Sequence, residues 1–243
     1  MFSDLGFWTL TGSAVIIGIT HTLLGPDHYL PFVALSKARK WSAAKTMRLT
    51  LLCGFGHVAS SVLIGFIGII LGISLGSLEF IESFRGDVAA WLLIGFGAIY
   101  LVWALRRAGK RKTHEHPHVH SDGTIHKHPH SHDGDHAHPH LEENRDGNVQ
   151  KPVAAWSLFI IFIFGPCEAL IPLFLYPAAQ ENWYWCMGVV LAFSLATVGT
   201  MLVAVFALTR GLSFLRLPSM ERWGQAFAAG IILMCGLAIR LGL

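Results

Sequence analysis

Six side chains able to bind protons or metal ions stand inside stretches that are otherwise apolar: His21, Asp27, His28, His57, Cys167 and Glu168. A charge at the centre of a bilayer costs about 2.5–3.5 kcal/mol on insertion scales, so ionisable groups placed there mark functional sites. No Lys or Arg is evident beside them. Two carboxylates with no protein cation need either protons or a bound cation. With three imidazoles and a thiol added, a divalent metal ion is the economical partner. Mixed N, O and S donors suit nickel, cobalt or zinc better than magnesium or calcium.

The spacing of these residues adds geometry. His21 and His28 would sit about 10 Å apart along an intact helix, too far for one ion with ligands at about 2 Å. Either they serve different steps or the helix breaks between them. Gly25-Pro26 supplies a break, because proline lacks the amide donor and clashes with the preceding turn. Non-helical backbone at membrane depth survives only where protein or a water-filled cavity covers it, so the break is expected to face inward. A second Gly-Pro occurs in "GPCEALIPLF" at 165–174, against "GPDHYLPF" at 25–32. The offset of 140 also sets Thr197 opposite His57.

The elements that must hold these groups follow from composition. The chain has 243 residues, 53% hydrophobic and 14% charged, with mean hydropathy +0.53; soluble domains carry about 25% charged residues. Six stretches near 7–35, 47–75, 87–105, 153–177, 184–209 and 223–242 approach the roughly 20 residues a spanning helix needs. The first is expected to be a span rather than a secretory signal, since "MFSDLGFW" lacks a basic start. The predicted fold is therefore all-α and integral to the membrane. Six transmembrane helices form two inverted three-helix repeats, 1–105 and 153–243, each with a Gly-Pro-broken first helix, a recurrent transporter design. Gly68, Gly72 and Gly76, spaced by four, predict close helix packing.

Basic residues cluster in alternate links: Lys37, Arg39, Lys40, Lys45 and Arg48; Arg106, Arg107, Lys110, Arg111 and Lys112; Arg210, Arg216 and Arg222. The remaining links carry Glu79, Glu82, Arg85, Asp87 and Glu181. The positive-inside rule then makes the basic links cytoplasmic and puts both termini outside, in a cell (inner) membrane. The link 106–152 contains eleven of the fourteen histidines. They are His114, His116, His118, His120, His126, His128, His130, His132, His136, His138 and His140. Over 113–140, Pro, Gly and Asp content and a near absence of apolar residues predict a cytoplasmic segment disordered when empty, with imidazoles that capture metal. Cys53, Cys167, Cys186 and Cys235 form no C-x-x-C pair, which argues against a disulfide framework.

In this order, "HTLLGPDH", "GHVASS", the histidine-rich link and "FGPCEALIP" resemble the nickel/cobalt transporter superfamily, in particular its nickel–cobalt efflux and urease-accessory-like membrane proteins. The resemblance covers most of the chain. It implies transport of nickel, cobalt or a similar ion. The family's first-helix histidine motif falls on His21, Asp27 and His28, its second-helix motif on His57, and its fourth-span Pro-Cys on Pro166 and Cys167.

The expected function is secondary transport of a divalent transition metal, export favoured, with the metal as cargo and no organic cofactor. No G-x-x-x-x-G-K-[ST] is present, so ATP hydrolysis by this chain is not expected, nor is enzymatic activity. Expected partners are membrane lipid, metal ions and a cytosolic metal-handling protein, not nucleic acid. Two alternatives stand beside this: a metal-delivery accessory or metalloenzyme without translocation, and a thiol-redox conduit. The conduit lacks a matching cysteine, because the position equivalent to Cys167 is Asp27.

Overall fold

Long apolar runs free of internal proline form long helices, and the two Gly-Pro pairs interrupt the others. The computed structural model describes residues 4–109, 114–119, 125–130, 153–180, 182–212 and 220–242. Helix α1 (Asp4–Leu24) leads through a 3-10 turn (Pro26–His28) into α2 (Leu30–Ala38). Then come α3 (Ala43–Ile70) and α4 (Leu75–Gly109), strands β1 (His114–Val119) and β2 (Ile125–His130), and the short helices α5 (Val153–Phe164) and α6 (Leu170–Ala179). Helices α7 (Trp183–Gly211) and α8 (Met220–Arg240) complete the chain.

Among the described residues, five helical segments are long and apolar enough to cross a membrane: Leu5–Leu24, Ala43–Ile70, Leu75–Gly109, Trp183–Gly211 and Trp223–Arg240. The short apolar helices α5 and α6 lie on either side of the second Gly-Pro. Large apolar side chains such as Trp8, Phe55, Phe80, Ile99, Leu195 and Phe227 are exposed. Water would penalise that exterior by about 25 cal/mol per Å²; lipid does not.

Helix ends follow local chemistry. Ser42 caps α3 by accepting the Lys45 amide at 3.2 Å, and Asn182 caps α7 by accepting the Trp185 amide at 3.2 Å. Helix α3 stops at Gly72, where φ is +64°. There the Ile73 amide reaches the Gly68 carbonyl at 2.8 Å and the Gly72 amide the Ile69 carbonyl at 3.0 Å, a Schellman closure. The glycine run thus splits three ways. Gly68 packs against Leu78 of α4, Gly72 ends the helix, and Gly76 faces open space.

The packing pairs elements across the sequence. Helix α1 lies along α7 in the same direction, with Phe7 on Trp185 and Gly18 against Phe193 and Thr197. Helix α3 lies on α5, α2 on α8, α4 on α6, α2 on α7 and α3 on α6. Helices α4 and α8 run antiparallel, Gly97 on Leu233 and Gly236 on Ala90, and the Arg240–Asp87 ion pair ties their ends. Two apolar clusters result. One gathers Phe32, Cys53, Leu93, Phe162, Met201 and Ile232; the other gathers Ala14, Val58, Cys167, Leu170, Phe174 and Phe193.

Two expectations are corrected here. The third span does not begin near 87: α4 starts at Leu75 and runs 35 residues, so Glu79, Glu82, Arg85 and Asp87 belong to a helix rather than a link. Its buried stripe includes Leu78, Glu82, Arg85, Ala89, Leu93, Tyr100 and Ala104, the three-and-four spacing of a core-facing helix. The ionisable groups in the spans also do have a protein cation among them, Arg85. Within the histidine-rich link, β1 and β2 pair antiparallel. Alternating His-x-His has the period of a strand. The register sets His114 opposite His130, His116 opposite His128 and His118 opposite His126. His120, His132, His136, His138 and His140 lie outside the described residues.

Candidate metal centre

The first Gly-Pro break brings His21 and His28 together. His21 sits in the last turn of α1, closed by the Gly25 amide on the His21 carbonyl at 3.0 Å. The chain then turns through Pro26–His28, and the two ring centroids come to 4.8 Å. His57 of α3 is 5.0 Å from His28 and 6.3 Å from His21, centroid to centroid. Glycine is required at both breaks by close approach. A Cβ on Gly25 would lie 2.6 Å from Nδ1 of His28, and one on Gly165 would lie 2.9 Å from Nδ1 of His57.

The second break delivers sulfur to the same place. Ligand atoms of His21, His57 and Cys167 all fall within 4.8 Å of one another, and His57 and Cys167 are buried. Ligands of one tetrahedral ion with bonds of 2.0–2.3 Å stand about 3.5 Å apart, so a small contraction would close the three on one ion. Phe162 of one apolar cluster and Phe193 of the other flank the group, at 6.2 Å from His57 and 6.4 Å from His21.

Hydrogen bonding sets some of these nitrogens apart from others. Nδ1 of His28 lies 3.1 Å from the Gly25 carbonyl and 3.4 Å from Oδ1 of Asp27. Both neighbours are acceptors, so Nδ1 carries the proton and Nε2 keeps a free electron pair. Nε2 of His21, Nε2 of His28 and both ring nitrogens of His57 are buried without a hydrogen bond of normal geometry. An unsatisfied buried polar group costs about 1–3 kcal/mol. Several around one point, beside a thiol, are what a metal ion would satisfy. Asp27 stands beside His28 as carboxylates stand behind metal-ligating imidazoles.

Of the residues read from sequence, His21, His57 and Cys167 come together and His28 adjoins them, with Asp27 behind it. Glu168 does not join them: it is exposed. Neighbouring residues in a tight turn diverge, and here the thiol takes the inward position. Thr197, matched to His57 by the 140-residue offset, is fully buried beside Gly18 with its hydroxyl unpartnered.

Sequence reasoning missed Glu82 and Arg85. They form a buried ion pair on one face of α4 and hold the backbone around Cys167. Their signal was available: opposite charges three apart, in phase with the apolar stripe of α4.

No family model matches the chain, and neither the curated proteins nor the solved structures contain a match.

Proposed function

We propose that the chain is a secondary transporter of divalent transition-metal ions of the nickel, cobalt or zinc type, exporting them from the cytoplasm. The observation that carries this reading is the convergence of His21, His57 and Cys167, with His28 alongside, at the junction of two broken helices. Ligands on two discontinuous helices from different parts of the chain can separate when those parts move. That is the mechanical requirement for passing an ion from one side to the other. Metal binding displaces protons from such ligands, which couples the cycle to a proton gradient.

The packing supports six spans in two inverted halves, α5 and α6 together making the fourth. Exchanging α1/α2 with α5/α6, α3 with α7 and α4 with α8 turns α1–α7 into α5–α3, α2–α8 into α6–α4 and α2–α7 into α6–α3. All of these contacts are made. Arg39 over Tyr100 at 5.5 Å draws the first basic link to the basic end of α4, as one cytoplasmic surface requires. The hairpin register favours capture of metal by that surface. The backbone register pairs three histidines of β1 with three of β2. The motif order shared with the nickel/cobalt transporter superfamily supports the same cargo class.

Purified protein reconstituted in vesicles loaded with a metal-sensitive dye tests the proposal. Wild type is expected to move cobalt or nickel, and His57→Ala to abolish movement. Tight binding without flux in wild type would replace transport with the delivery-accessory reading.

A further inference from the structure

We infer that Glu82 and Arg85 form a latch that replaces one severed helical hydrogen bond and so positions Cys167, resting on the reading of Cys167 as a metal ligand. Were α5 to continue unbroken, the Cys167 amide would donate to the Ile163 carbonyl, four residues back. Pro166 deflects the chain and that bond is not made. Both of its groups are met from α4 instead. The Cys167 amide donates to Oε2 of Glu82 at 3.0 Å, and the Ile163 carbonyl accepts from Nη2 of Arg85 at 2.6 Å. The anion takes the orphan donor and the cation takes the orphan acceptor.

The latch has a second anchor. Arg85 also donates to Oγ of Ser60 at 2.6 Å and Oγ of Ser61 at 3.1 Å, and reaches the Gly165 carbonyl at 3.4 Å. Ser61 in turn donates to Glu82 at 3.0 Å. Glu82 is fully buried and Arg85 is 8% exposed. Ser60 and Ser61 lie one turn beyond His57 on α3. The same guanidinium therefore fixes the α3 segment carrying His57 and the break carrying Cys167. Lysine cannot reproduce this, because it offers a point charge in place of a planar fork. Glu82 and Arg85 act through Cys167 and His57 and are positioning residues.

The test uses the full chain with Cys53, Cys186 and Cys235 changed to Ala, leaving Cys167 as the reporter. Removing one member of a buried pair strands the other charge and can prevent folding, whereas replacing both with apolar residues is often tolerated. The informative variant is therefore the double change Glu82→Leu with Arg85→Met, with Arg85→Lys beside it. The first readout is the rate of Cys167 alkylation by a membrane-permeant maleimide without metal. The second is the sulfur-to-cobalt charge-transfer absorption after cobalt(II) is added. In the parent the thiol is expected to be protected. The double variant, eluting as the same monodisperse species, is expected to label roughly tenfold faster or more, as loss of one or two hydrogen bonds implies, and to lose the sulfur band. Arg85→Lys is expected to label faster than the parent too. Equal labelling in parent and folded double variant would overturn the latch, as would parental protection in Arg85→Lys. A parent that protects its thiol yet shows no cobalt–sulfur band would sink the metal centre alone, and the labelling rates would still decide the latch.

Discussion

At Gly25-Pro26 the chain repairs its broken helix from within, whereas at Gly165-Pro166 it takes the repair from α4. The carbonyl of Leu23, which the 140-residue offset matches to Ile163, accepts a hydrogen bond from the Tyr29 hydroxyl at 3.2 Å, six residues on and at an exposed site. Asp27 and the Gly25 carbonyl then orient His28 within the same turn. At the second break both orphan groups are met by a buried ion pair from a distant part of the chain. A locally supported break depends on a few neighbours. A remotely supported one transmits the position of α4 to the thiol.

This contrast can be broken or sharpened by substitution. Glu82→Ala is expected to have the largest effect, about 3–5 kcal/mol of lost stability, because it strands a buried guanidinium; thermal unfolding in detergent would reveal it. Cys167→Ala removes a candidate ligand and should leave the fold intact. It is expected to weaken cobalt binding by more than the roughly 10–100-fold of a supporting-residue change, measured by equilibrium dialysis. Asp27→Asn should fall within that 10–100-fold range with no loss of stability, since it only loosens His28. Tyr29→Phe is expected to cost about 1 kcal/mol or less, one partly exposed hydrogen bond. If Tyr29→Phe destabilises as much as Glu82→Ala, the two breaks are supported alike and the contrast fails.

The sequence made the breaks legible, because a Gly-Pro pair inside an apolar run has few other uses. It also made legible the conflict that His21 and His28 pose on an intact helix, which the turn at Pro26–His28 resolves. Helix α4 was misread because charge was taken as a sign of water. Glu82 and Arg85 cancel each other three residues apart on a buried face, and that neutral pair extends the span by three turns. Glu168 stands apart from the cluster because adjacency in sequence does not give adjacency in a turn.

The ion pair on α4 also decides how the candidate centre meets an electric field. With Glu82 committed to Arg85, the anions that the described residues would offer a divalent ion at this centre are a Cys167 thiolate and the Asp27 carboxylate behind His28. Two negative charges against two positive ones would make a loaded centre electroneutral. Each uncancelled elementary charge would couple to the membrane potential by about 2.3 kcal/mol per 100 mV. Voltage-clamped vesicles should therefore carry the loaded step equally well at either polarity, and Asp27→Asn should make that step voltage-dependent.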